Sequence, residues 1–224
     1  RGARNDFPYT DDRGTEFNRD DDREVRRRNA QVRQSSGLLK AGRPLGGDAR
    51  VDGLLRLLDK RQGLPTWDNA DVDSRLDTAV SQGRLRWQDR SLAGAPRWAG
   101  MASIHGRQRR ETYDDRGDAV GLGSQHNRYR TLTAGAAGYV EWVGDWQTLV
   151  LRADGVEEDY IARDLMANED HTDARRHRLE LSAAHKARLF DRRLLVSTTV
   201  RQRRIADSAR GSVGGIGSTG FHRE

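Results

Sequence analysis

Six histidines, 34 acidic residues and no cysteine set the chemistry available to this chain. His105, His126, His171, His177, His185 and His222 show no HExxH spacing, so the helix of a zinc hydrolase is not written here. Without cysteine there is neither a disulfide nor a thiolate metal site. Asp20, Asp21 and Asp22, and again Asp114, Asp115 and Asp118, offer the hard oxygen ligands that calcium takes. Yet Asp11-Asp12-Arg13-Gly14 and Asp114-Asp115-Arg116-Gly117 place Asp first and Gly fourth, which suits a type I turn and needs no metal. Gly215 to Gly220 matches GxGxxG, but only four residues follow, too few for the helix whose N-terminal amides would hold a pyrophosphate. No GxSxG nucleophile elbow is present. These residues argue against an enzyme and call for no cofactor and no metal.

What remains is recognition chemistry. Tyr9, Phe17, Trp67 and Tyr129 lie in segments rich in Asp, Arg and Gly, and aromatic and Arg groups together suit planar or anionic solutes. Arg23 to Arg28 (REVRRR) reads as a solvated rim able to meet phosphate groups bidentately. The formal charge is +6, but acidic residues are mixed among the 40 basic ones, and no stretch combines basic and aromatic residues as single-strand binders do. Nucleic acid is therefore not the expected partner.

The elements that must carry these groups follow from a period of two. Leu132, Ala134, Ala136, Gly138, Val140 and Trp142 fall on one face, with Thr131, Thr133, Gly135, Ala137, Tyr139 and Glu141 on the other. The dyad returns in about seven further segments, each roughly 10 residues or longer, the length a tilted strand needs to cross a bilayer. Val51, Gly53, Leu55 and Leu57 alternate with Arg50, Asp52 and Arg56, although Leu54 and Leu58 break the polar face. Leu85 and Trp87 oppose Arg84 and Arg86; Leu149, Leu151 and Ala153 oppose Val150, Arg152 and Asp154; Leu179, Leu181 and Ala183 oppose Arg178, Glu180 and Ser182. No run of 18 apolar residues and no period of 3.6 occurs. Hydrophobic residues are only 34% of the chain and charged ones 33%, a balance that suits strands with one apolar face and a wet lumen.

The fold expected is all-β: about eight antiparallel strands in an up-and-down meander over 29–206, forming an open, curled piece of a transmembrane β-barrel. Residues 1–28 form a loop before it and 207–224 the start of another. Long connections (Gln62–Ser74, Asp114–Tyr129, Ala162–Asp173) are expected at one end, and tight turns near Pro44–Asp48, Ala93–Pro96, Gly144-Asp145 and Phe190–Arg192 at the other. Trp87, Trp98, Trp142 and Trp146 cluster at the short-turn end, as an interfacial aromatic girdle would; cross-strand pairing in a soluble sheet is the plainer alternative. His177 and His185 fall on the apolar face. Both chain ends read as loops, which is the expectation for a fragment of a larger protein.

Several segments carry a family resemblance. The stretch from Asn5 to Asn29, NDFPYTDDRGTEFNRDDDREVRRRN, resembles an extracellular loop of TonB-dependent outer-membrane receptors. Lys60-Arg61-Gln62-Gly63-Leu64-Pro65 is similar to their strand-to-loop exit, and Val120-Gly121-Leu122-Gly123 with Arg128-Tyr129-Arg130-Thr131 resembles a later loop and its return strand. Arg193-Leu194-Leu195-Val196 to Arg201 resembles another strand pair. The resemblance implies a 22-stranded barrel around a plug, in the outer membrane of a Gram-negative bacterium. It implies energy-coupled uptake of a scarce solute such as an iron-siderophore complex. Implied partners are outer-membrane lipid and lipopolysaccharide, the plug of the same full-length protein, and the inner-membrane TonB complex. No plug, TonB box or barrel-closing strand is found here. A complete small structural or adhesive barrel and a soluble β-sheet ligand-binding module are the alternative functions.

Overall fold

Alternating side chains and frequent Gly and Ala give this chain one continuous antiparallel ladder. The computed structural model describes residues 2–3, 7–11, 17–66, 69, 72–120, 123–190, 193–213, 216–217 and 221–223. Eight long strands are β1 (Val32–Gly46), β2 (Ala49–Gly63), β3 (Arg75–Asp89), β4 (Trp98–Asp115), β5 (Gln125–Val143), β6 (Gln147–Asp164), β7 (Glu169–Leu189) and β8 (Leu194–Val213). Each pairs with the next in sequence, an up-and-down meander without crossovers. Gly2–Ala3 adds briefly to the β1 edge, and Ile216–Gly217 and Phe221–Arg223 to the β8 edge. β1 and β8 do not pair with each other, so the sheet is open. Pro8–Asp11 and Arg23–Arg26 form a separate small hairpin.

The register sorts the side chains into two unlike faces. One row across the sheet joins Gly53, Leu85, Ile104, Ala136, Gly155 and Leu179; the next joins Val51, Trp87, Ala102, Gly138, Ala153 and Leu181. The opposite face joins Asp52, Arg86, Ser103, Ala137, Asp154, Glu180 and Arg203. Along β5 the apolar positions Leu132, Ala134, Ala136 and Val140 are exposed, while Thr131, Thr133, Gly135 and Ala137 between them are partly covered. Crowding of the polar side chains is what the concave side of a curled sheet produces.

Among the described residues, Leu92 over Gly100 aside, no second layer packs on the apolar face. Among the described residues Ala162 and Ala187 are the only buried apolar side chains, whereas Leu39 is 64%, Ile104 59%, Leu151 52% and Val200 67% exposed. Among the described residues there is no layer of apolar side chains of the kind that would bury these in a soluble domain.

The connections differ in part from expectation. At one end lie 64–74, 116–124 and 165–168; at the other lie 47–48, 90–97, 144–146 and 190–193. The 162–173 loop is instead a four-residue turn. The Asp164 carboxylate accepts from the Met166 and Ala167 amides at 2.7 and 3.2 Å, and Asn168 takes φ 59°, so β6 and β7 pair right up to it. The 114–129 loop shrinks to 116–124 for a similar reason, as β4 and β5 pair to Asp115 and Gln125. β8 continues to Val213, past the expected limit at 206. The 90–97 connection is longer than a tight turn. Its 3-10 turn Leu92–Gly94 folds the Leu92 side chain back against Gly100, where an added Cβ would meet it at 3.1 Å.

Asn29 and Gly63 make a tight approach at the start of the sheet. Asn29 sits at φ 51° and donates to the Leu64 and Ser74 carbonyls at 3.0 and 2.7 Å. A Cβ on Gly63 would lie 2.5 Å from the Asn29 carbonyl oxygen. Gly63→Ala is expected to destabilise the fold by about 1–3 kcal/mol through overpacking. Gly37→Ala, which adds a Cβ with nothing within 4 Å, should change it by less than about 0.5 kcal/mol. Urea midpoints of the two variants check this.

Candidate functional site

At the end carrying the longer connections, three segments are tied into one polar knot. The Asn69 side chain donates to the Arg26 carbonyl at 2.8 Å and accepts from the Arg28 amide at 2.6 Å, joining the chain before β1 to the 64–74 connection. Asp115, 1% exposed, closes β4. Its carboxylate accepts from the Ser74 hydroxyl (2.6 Å), the Tyr113 hydroxyl (3.2 Å) and the Ala119 and Val120 amides (both 3.0 Å). Four donors satisfy a buried charge that would otherwise be costly. Asp118 then accepts from the Gly123 amide at 2.7 Å, shaping the tip.

Asp114 faces the other way, between Arg116 (2.9 Å) and Arg75 (3.1 Å). Burial pushes its pKa up, but the Arg116 hydrogen bond and the charges of Arg116, His126 and Arg75 outweigh that and hold it below the ordinary carboxylate value. For Tyr113, burial first and then the Asp115 carboxylate push the hydroxyl up. The acidic pair read as a turn is therefore committed to arginine, serine, tyrosine and backbone partners. A cleft of about 1390 Å³ opens beside the knot, with Asn29, Arg33, Arg61, Ser74, Asp114 and Arg116 in its walls.

The aromatic residues singled out from sequence separate. Tyr129 stands on the polar face of β5, stacked on Tyr160 of β6 with centroids 6.5 Å apart and planes 13° apart. Tyr9 lies in the small N-terminal hairpin, tilted against Phe7 at 6.5 Å and under the Arg27 guanidinium at 5.5 Å. Phe17 is 96% exposed. Trp67 lies outside the described residues, as does most of the GxGxxG match at 215–220. The sequence reading missed Tyr113 and Tyr160. Register brings them to Tyr129: Asn127, beside it on β5, opposes Tyr113, and Thr131 opposes Tyr160. A diagonal of three phenol rings thus crosses β4–β6 on the polar face. The signal was available, since all three occupy same-face positions of neighbouring strands.

The short-turn end is aromatic and apolar. Trp98 and Trp142 pair directly across β4 and β5 with centroids at 6.4 Å. The Trp142 ring covers Gly144, whose added Cβ would meet it at 2.8 Å. His185, on the same face, hydrogen-bonds Gln147 at 3.0 Å, and His177 lies 4.0 Å from Glu157 at the opposite margin of the apolar surface. Both histidines thus find polar partners where the apolar rows end.

A scan against protein-family models finds no match, and no curated protein matches the sequence.

Two outcomes follow from the knot. Asp115→Ala leaves four donors without their acceptor and should cost about 1–3 kcal/mol, read as faster proteolysis within 116–124. Asp114's depressed pKa contributes stability that is present above the unfolded value of about 3.9 and lost as pH falls through the lower folded value. Arg116→Gln should move the Asp114 titration back up, measurable by NMR, and shrink that acid-side loss.

Proposed function

We propose that this chain is part of the wall of an outer-membrane β-barrel that takes up a scarce solute, as in TonB-dependent receptors. The observation that carries the reading is the single-layer sheet whose Leu, Ile, Val and Trp side chains face outward with no layer of described residues over them. Water is a poor neighbour for such a face, each Å² of apolar surface left wet forgoing about 25 cal/mol. Lipid is a good one, and a ladder with its amides paired strand to strand is what hydrocarbon demands.

The slope of the apolar surface gives independent support. In the row through Gly53, Leu85 and Ala136, the first residue is centred in the apolar segment of β2. The same row reaches β8 at Arg204, about seven residues from the middle of its apolar segment Leu194–Val200. The apolar band therefore slips toward the short turns by about one residue per strand. At about 3.3 Å per residue and 4.8 Å between strands, a level band then requires strands inclined by about 35°. Membrane barrels have tilts of about 35–45°. The aromatic cluster of Trp98 and Trp142 falls at one margin of the band, where an interfacial girdle belongs.

In this reading the concave face lines an aqueous lumen, and Arg84, Arg86, Arg152, Glu180 and Lys186 on it meet a plug or a passing solute. The long-loop end faces outside, with Tyr9, Phe17, Trp67 and Tyr129, joined by Tyr113 and Tyr160, as solute contacts. Lipopolysaccharide phosphates would meet Arg26–Arg28, and coupling to the TonB complex would run through a plug. Apart from the short pairings of Gly2–Ala3, Ile216–Gly217 and Phe221–Arg223, the β1 and β8 edges are open among the described residues, which suits continuation into further strands better than a complete small barrel.

A charge on the outward face tests the membrane assignment. Leu151→Arg and Ala136→Arg should each cost about 2–4 kcal/mol in lipid, measured by refolding into phospholipid vesicles. At exposed positions of a soluble sheet the same changes cost less than about 0.5 kcal/mol, and that result would return the protein to a soluble binding module. In the whole protein, Tyr129→Ala should weaken uptake while leaving membrane insertion intact.

A further inference from the structure

The concave face treats its arginines in two different ways. Across β7 and β8 Arg176, Arg178, Arg201 and Arg203 are matched by acids, and Arg152 on β6 lies over the Tyr139 ring. Arg176 pairs bidentately with Asp207 (2.8 and 2.9 Å), Arg178 with Asp154 (3.1 Å), and Arg201 and Arg203 with Glu180 (3.2 and 2.7 Å). Across β2–β4 the acids nearby are already engaged, Asp52 by Arg50 at 2.7 Å and Glu111 by Arg109 at 2.6 Å. Arg56, Arg84, Arg86 and Arg107 have no carboxylate partner among the described residues.

Register packs these four together. Arg84 and Arg86 are same-face neighbours on β3, about 7 Å apart. Gln82 stands directly opposite both Arg56 on β2 and Arg107 on β4, so each is diagonal to Arg84 at about 7–8 Å. His105 is directly opposite Arg84 and Ser103 opposite Arg86, adding neutral hydrogen-bonding groups. Asp52, directly opposite Arg86, is shared with Arg50, so the four guanidinium groups outnumber the acids among them and repel at this spacing. Arg86 supplies a second sign: its Nε is out of contact with solvent and has no hydrogen-bond partner, alone in this respect among the described residues. A native structure rarely leaves such a donor unmade without a reason.

We propose that the β2–β4 concave face is a binding site for a compact polyanion bearing three or more carboxylates or phosphates, held by Arg56, Arg84, Arg86 and Arg107. Guanidinium groups present paired N–H donors in the planar geometry that both anion types accept. The site lies at mid-strand, with Arg56 and Arg107 at the middle of β2 and β4 and Arg86 nearest the short turns, away from the tyrosine diagonal. The inference needs only that this face be open to solvent, and it stands whether the outer face meets lipid or not.

Titration calorimetry on the whole protein in detergent, at low salt, with citrate in one arm and inorganic tripolyphosphate in the other, tests it. At least one anion should bind, with affinity falling as salt rises. The double variant Arg84→Gln, Arg107→Gln should weaken it by about tenfold or more, while Arg176→Gln should leave it within about twofold. Preference for citrate assigns carboxylate, and preference for tripolyphosphate assigns phosphate. Gln82→Glu keeps every arginine and is not expected to disturb folding, yet its carboxylate neutralises the patch from within and should also weaken binding by about tenfold. Unchanged affinity in Gln82→Glu, or no binding of either anion, overturns the proposal and leaves the arginines to an acidic protein surface. Failure of the Leu151→Arg test would leave this one untouched.

Discussion

The hydrogen-bond ladder between consecutive strands is the constraint from which the other features follow. Once β1 to β8 pair in order, side chains have only two directions to take, and a slip of one residue would exchange them all. The sheet is a single layer, so the ladder is not backed by a core: Ala162 and Ala187 are all the buried apolar matter among the described residues. Stability must then come from strand pairing, from cross-strand contacts such as Trp98 on Trp142, and from whatever medium covers the outer face. That last term decides what sort of protein this is.

The two ends of the sheet solve different problems. At the short-turn end, turns are closed by backbone geometry, with Gly46 at φ 106° and Gly47 at φ 56° after a bulge at Pro44, and aromatic rings fill the margin. At the other end the chain leaves the sheet through polar clasps. Asn29 and Asn69 bind backbone amides and carbonyls of distant segments, and Asp115 binds the Ala119 and Val120 amides of the turn that follows it and the distant Ser74 hydroxyl, replacing hydrogen bonds that the ladder no longer provides. The strands from β4 onward are longer, and the Tyr113–Tyr129–Tyr160 diagonal stands beyond the apolar rows at this end. Rigid strands rather than loops therefore present the principal aromatic surface.

The concave face divides along its width. Over β6–β8 four arginines are paired with Asp154, Glu180 and Asp207, so that half holds most of its charge in internal ion pairs. Over β2–β4 the excess is cationic. An asymmetry of this kind, within one continuous lining, is better suited to directing a charged guest than to packing evenly against a neutral one.

Much of this was legible in the chain alone. Alternation at Leu132–Trp142 or Val51–Leu57 is a local property, because successive residues of any strand point oppositely whatever surrounds them. All-β class, strand number, hairpin order and the polar or apolar destination of most residues therefore needed no tertiary information. Loop lengths were harder. Asp164 and Asn168 are turn residues in the sequence, but whether strands pair right up to them depends on the neighbouring strand's register. Tyr113 and Tyr160 join Tyr129, and Arg56 and Arg107 join Arg84, only because the ladder sets residues far apart in sequence side by side. Which arginines keep a carboxylate and which are left over is likewise a matter of cross-strand distance. Sequence determines the facing of each side chain, since that is geometry within a strand; tertiary structure decides its company, since that is geometry between strands.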